Sequence, residues 1–156
     1  MSARNSRPAP GATHELFISH VFDAPPALVF EAWTKAEHRL RWWGPKDYTV
    51  LSCEMDFRVG GAYRIGIRSP EGVDYWMHGV HRTIVEAERL AFTFAWEEEG
   101  ERGLETLVTV TFVEQDGKTR MSFHQAPFHS IAERDGHQGG WSECLDRLAA
   151  YAATPA

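Results

Sequence analysis

Residues 48–126 alternate apolar and polar side chains with a period of two, and after them only one stretch of helical period remains, Ile131–Ala152. Side chains on a strand point alternately to its two faces, so Leu90, Phe92, Phe94 and Trp96 share one face, against Ala91, Thr93 and Ala95 on the other. Val108, Val110 and Phe112 continue that apolar face, followed by Met121, Phe123 and Gln125. A large apolar sheet face has to be covered. One helix cannot seal the whole breadth of a curved sheet, so this order of elements predicts a cavity between the two. It describes a container more clearly than a catalyst.

The predicted strands are 48–57, 61–68, 74–85, 89–96, 104–114 and 118–126, preceded by a first strand at 14–23 with Leu16, Ile18 and Phe22 on one face. Phe17 and Val21 leave the inward parity of that first strand open. Ser69-Pro70-Glu71-Gly72 and Asp116-Gly117 carry tight-turn chemistry, so neighbouring strands should be antiparallel. Gly60-Gly61 opens a strand rather than a helix, and therefore reads as a bulge or bend instead of a phosphate loop.

Two short helices are expected after the first strand. Pro25 and Pro26 suit a first turn, where a missing N–H has no intrahelical partner, and Val29, Phe30 and Trp33 supply an apolar face. Thr34 and Glu37 read as a capping box for a second helix that ends near Trp42, at Gly44 and Pro45. Ser130 and Glu133 form another such box ahead of the last helix, on which Trp141, Leu145, Leu148 and Ala152 recur. Gly136, Gly139 and Gly140 interrupt its first half, each costing ~1 kcal/mol relative to Ala. Either they clear space over a cavity or at a close backbone approach, or the helix is broken there and begins at Gly139-Gly140.

Composition removes several classes of function. A chain of 156 residues suits one domain, here 14–153, with 1–13 read as a disordered leader that lacks the apolar core of a secretory signal. The net charge is −6 with no basic stripe, which argues against nucleic-acid binding. Cys53 and Cys144 are the only cysteines and have no metal or redox spacing, so reduced thiols and a cytoplasmic location fit best. No run reaches the length of a membrane span. The acidic run Glu97, Glu98, Glu99 and Glu101 reads as a solvated hairpin loop.

Six Trp, nine Phe and four Tyr are the material for a site. Trp33, Trp42, Trp43, Trp76, Trp96 and Trp141 either line an aromatic pocket or fill the core, and the sequence leaves both open. Tyr63, Phe94, Val108, Val110 and Phe123 are candidate wall residues from the strands. Gly140 is one from the helix, and His78, Gln125 and His137 are candidate polar groups that orient a ligand. No metal site is expected: His78 and His81 fall on opposite faces of a strand, and a Pro-containing turn separates His124 from His129. No nucleophile elbow or Cys–His pairing is present, and no catalytic residue is assigned.

The ordered segments FDAPPALVFEAWTKAEHRLRWWGP, DFRVGGAYRIGI, GVHRTIVEAERLAFTF, KTRMSFHQAPF and GWSECLDRLAAY resemble the family named after the activator of the heat-shock protein 90 ATPase, within the START-like, birch-pollen-allergen-like superfamily. The resemblance implies an α+β helix-grip fold: a curved antiparallel sheet on a long C-terminal helix, with two short helices after the first strand. It implies a bound small hydrophobic molecule, lipid-, flavonoid- or polyketide-like, with no cofactor, in a monomer or homodimer. Two alternatives follow from the same superfamily. One is a co-chaperone-like module with a protein partner in a stress response; the other is a cyclase- or hydrolase-like enzyme using His78 or His137. Family members commonly carry His where Gln125 stands, and an amide can orient a ligand but cannot usefully transfer a proton at neutral pH.

Overall fold

A computed structural model describes residues 14–98 and 101–152. The expected leader and Glu99 of the acidic run lie outside those residues. Strand β1 (His14–Phe22) is followed by helices α1 (Pro26–Thr34) and α2 (Ala36–Trp42). Strands β2 (Thr49–Met55), β3 (Ala62–Arg68), β4 (Asp74–Val85) and β5 (Arg89–Glu98) come next. The two-residue β6 (Glu101–Arg102), β7 (Thr106–Gln115), β8 (Lys118–Phe128) and helix α3 (Ile131–Ala152) complete the order. The strands form one curved antiparallel sheet in the order β1-β8-β7-β5-β4-β3-β2, with β6 pairing the far end of β5. This is the helix-grip arrangement the alternation and the resemblance imply.

Local chemistry explains the helix boundaries, with one correction. Pro25 is extended at the N-cap of α1 and Pro26 takes the first helical position. Thr34 does not cap α2. Its hydroxyl donates back to the Glu31 carbonyl at 2.8 Å, Lys35 is the extended N-cap residue, and Glu37 therefore sits one position short of where a capping box needs it. The second box forms with its return bond shifted by one residue: the Glu133 N–H donates to Ser130 Oγ at 3.1 Å, and the Glu133 carboxylate accepts from the N–H of His129, just before the cap, at 2.7 Å. From there α3 runs unbroken through all three glycines, which removes the broken-helix alternative. The acidic run is likewise less of a loop than expected, because Glu97 and Glu98 belong to β5 and Glu101 to β6.

Cross-strand pairs fix which side chains face the helices. On β1, Leu16 and Phe22 turn inward while Phe17 and Val21 are exposed, which settles the open parity. Ile65 pairs with Met77 and Met77 with Trp96, so Tyr75, Met77, Gly79 and His81 form the inner row of β4. Trp76 and His78 consequently point outward. The reason lies in the residues themselves: a Cβ at Gly66 would fall 2.6 Å from the Trp76 ring, so the indole lies flat on the outer face over the missing side chain. Arg64 covers the other side of that ring at 4.1 Å.

The interior is filled unevenly. Trp33, Trp42, Phe92, Val108, Val110, Phe123, Leu145 and Leu148 are completely buried in one core cluster. Toward the open end of β3, β4 and β5, the first half of α3 leaves the sheet uncovered.

Candidate functional site

That gap is a cleft of about 660 Å³. Its walls come from three places: the segment after α2, with Trp43, Gly44, Pro45 and Tyr48; the inner rows of β3–β5, with Ile67, Tyr75, Met77, Phe94 and Trp96; and α3, with Gly136, His137, Gly140, Trp141 and Cys144. Six aromatic rings follow one another around it. Centroid separations are 6.4 Å for Tyr48–Tyr75, 6.2 Å for Tyr75–Trp96 and 5.3 Å for Trp96–Phe94. The belt continues through Phe94–Trp141 at 6.0 Å and Trp141–Trp43 at 5.3 Å.

The polar atoms of this wall are mostly spoken for. The Trp43 indole N–H points to Met77 Sδ at 3.2 Å. Trp96 Nε1 donates to His137 Nε2 at 2.9 Å, while His137 Nδ1 lies 2.9 Å from the Glu133 carbonyl, so the ring is held as the Nδ1–H tautomer with both nitrogens engaged. Trp141 Nε1 donates to Gln125 Oε1 at 2.8 Å, Gln125 Nε2 donates to Thr106 Oγ1 at 2.8 Å, and the Thr106 hydroxyl donates to the Phe94 carbonyl at 2.9 Å. Gln125 is itself fully buried and sits behind Trp141 rather than in the cleft. By contrast, the Tyr48 and Tyr75 hydroxyls make no hydrogen bond to the described residues. Burial keeps the Tyr48 phenol above its ordinary pKa, so it stays a neutral donor.

The charges at the rim are neutralised in place. Glu97 accepts two bonds of 2.9 Å from Arg64, which holds its carboxyl below the usual range, and lies 3.1 Å from His78 Nδ1. Glu133 is spent on the helix N-terminus. At the floor, burial pushes the Cys144 thiol up to about 12, so it stays protonated and is a poor nucleophile. Among the described residues no group of His, Cys, Asp and Glu could hold a metal ion, and no helix is long and apolar enough to cross a membrane.

Of the residues singled out from the sequence, the cleft brings together Trp43, Phe94, Trp96, His137, Gly140 and Trp141. Trp33, Val108, Val110 and Phe123 instead pack in the core, and Tyr63 is buried with its hydroxyl on the Thr93 carbonyl at 2.7 Å. Trp76 and His78 are on the outer face. Tyr48, Tyr75, Ile67 and Met77 escaped the sequence reading, although the last three follow once the inner parity of β3 and β4 is known. Also missed was Arg147, whose Nη1 lies 3.0 to 3.2 Å from the carbonyls of Trp43, Gly44, Pro45 and Tyr48 and ties that wall to α3. Gly44 makes the turn possible with φ of 98°, where a side chain would be strained.

Comparison with known proteins agrees with this architecture. A crystal structure of a protein from Chromobacterium violaceum superposes with a TM-score of 0.83 at 24% identity, covering 90% of this chain and 98% of that one. The AHSA1 protein of Silicibacter pomeroyi gives 0.79 at 26% identity, over 90% and 98%. A protein from Rhizobium leguminosarum gives 0.76 at 25%, over 89% and 93%. No curated protein matches the chain significantly. The family model described as activator of Hsp90 ATPase homolog 1-like protein matches residues 23–153, and the chain belongs to that family.

Proposed function

We propose that the protein binds a flat, largely apolar small molecule, aromatic or polyketide-like, in the cleft between α3 and the sheet. The carrying observation is the belt of six rings whose three indole N–H groups are already satisfied inside the protein. Such a wall offers ring faces and little else, so a ligand gains by burying apolar surface and stacking, with polar contact confined to the Tyr48 and Tyr75 hydroxyls. The volume lies within the range of small-molecule sites, about 300 to 1,000 Å³. An acid–base role draws no support from His137, whose two ring nitrogens are committed, or from His78, which is turned away and paired with Glu97.

Native mass spectrometry of freshly purified protein tests this reading. We expect an adduct of a few hundred daltons that leaves on mild activation, and displacement by added aromatic compounds that quench tryptophan fluorescence. Protein that carries nothing, and whose fluorescence is unmoved by flavonoids, fatty acids and aromatic polyketides alike, would count against it.

A further inference from the structure

Four buried polar nitrogens have no hydrogen-bond partner among the described residues: the donors Arg39 Nη1, Arg39 Nη2 and Trp33 Nε1, and the acceptor His81 Nε2, whose ring carries its proton on Nδ1, 3.0 Å from the Gly61 carbonyl. They belong to one neighbourhood. The Arg39 guanidinium is 5.7 Å from the Phe92 ring, and the His81 and Trp33 rings are 6.4 and 6.2 Å from it. Arg39 is on α2, which packs across β2, and its side chain is fully buried. Only Nε is bonded, to the Trp33 carbonyl at 2.8 Å.

The guanidinium also faces Trp43 at 5.2 Å and Tyr63 at 5.7 Å, and the side chains acting on it electrostatically are Cys53, Tyr63 and Cys144, with no carboxylate among them. Burial lowers its pKa to about 10, which still leaves it charged at neutral pH. A buried, unpaired cation is strongly disfavoured, and ring faces offset only part of that cost. The remaining donors form the fork that suits a carboxylate or a compact inorganic anion.

We propose that Arg39, with the Trp33 indole N–H beside it, is an internal binding site for one small anion of halide or carboxylate size. Two sources share this chemistry. The anion is free in solution, or it is the acidic group of a molecule in the cleft, since the Trp43 ring that walls the cleft is the ring nearest the guanidinium. The first source is independent of the cleft reading; the second rests on it.

The experiment compares wild type with Arg39→Met, which keeps much of the buried stem and removes the charge. Thermal unfolding is followed at constant ionic strength while chloride or formate replaces a bulky anion, gluconate; general salt effects are common to both proteins. A saturable rise of several degrees in wild type, absent in Arg39→Met, identifies a free anion. If small anions do nothing but 2-naphthoate stabilises wild type far more than 2-naphthylmethanol, and that preference disappears in Arg39→Met, the anion is the ligand's own acid. Equal responses of the two proteins to every anion overturn the site. Should Arg39→Met fail to fold, bromide-soaked wild-type crystals decide: an anomalous peak against Nη1 or Nη2 supports the proposal, and density for water alone overturns it.

Discussion

Gln125 shows how a single polar residue in an apolar interior shapes the cleft without entering it. Its amide accepts from Trp141 and donates to Thr106, so the indole that forms one side of the cleft is locked in orientation from behind. Gln125→Leu would leave the Trp141 N–H buried and unpaired, and we expect a loss of ~1–3 kcal/mol in denaturant unfolding. Gln125→His should lose less, because one ring nitrogen can accept from Trp141 while the other donates to Thr106. Equal losses for Leu and His would refute the relay. His81 adds a pH dependence of its own. Burial, then the Arg39 charge, holds its pKa below the ordinary 6.5. Above pH 6.5 the ring is neutral in folded and unfolded chains and adds no slope; below it the unfolded chain takes up a proton that the folded one resists, so stability falls. His81→Phe should flatten the stability profile on the acid side of 6.5, whatever its effect on packing; an unchanged slope would assign the acid sensitivity elsewhere. The sequence placed Gln125 on the correct face but could not show that its partners, on the neighbouring strand β7 and on α3, would consume both ends of the amide.

At the level of elements, the cleft exists because α3 turns Ala132, Gly136 and Gly140 toward it and because the WWGP segment is held open. A Cβ at Gly136 or Gly139 would meet nothing within 4 Å, and one at Gly140 would meet only Pro45 Cγ at 3.6 Å, an ordinary contact. The glycines therefore mark space, not close backbone approach. We expect Gly139→Ala and Gly140→Ala each to stabilise the protein by ~0.4–1 kcal/mol, but only Gly140→Ala, whose methyl enters the cleft, to weaken ligand binding in a fluorescence titration. Equal binding by the two would disconnect Gly140 from the site. Across the cleft, Arg147→Met would release four carbonyls from one cation and should cost ~1.5–3 kcal/mol, with a changed near-ultraviolet tryptophan signal as Trp43 loses its anchor. Most of this level was legible from period and turn chemistry, including β4 at its observed bounds. The inner face of β4 was not, because Tyr75, Met77, Gly79 and His81 make a weaker apolar row than Trp76 and Val80, and only pairing with Ile65 and Trp96 reveals which row is inside. Arg147 was invisible for a related reason: its partners are backbone carbonyls about a hundred positions away.

For the molecule as a whole, occupancy of the cleft and stability of the fold are one equilibrium, because the belt is assembled from α3, the strands β4 and β5 and the segment after α2 only in the folded state. A ligand at a hundred times its dissociation constant adds ~2.7 kcal/mol to folding, which for a domain of this size is a rise of roughly five to ten degrees in Tm. At least one member of a panel of flavonoids, fatty acids and aromatic polyketides should produce it. Trp141→Ala should abolish the shift, but it also removes a buried ring at ~3–5 kcal/mol, a large share of the stability of a typical domain. Tyr75 separates the two effects. Its ring closes the belt between Tyr48 and Trp96 yet is 42% exposed, so Tyr75→Ser should unfold within a few degrees of wild type when empty. With ligand present, its shift should be markedly smaller, since both a stacking face and one of the two uncommitted hydroxyls are gone. A Tyr75→Ser protein that matches wild type in both states would place the ligand outside the ring belt, and with it the function proposed for the cleft.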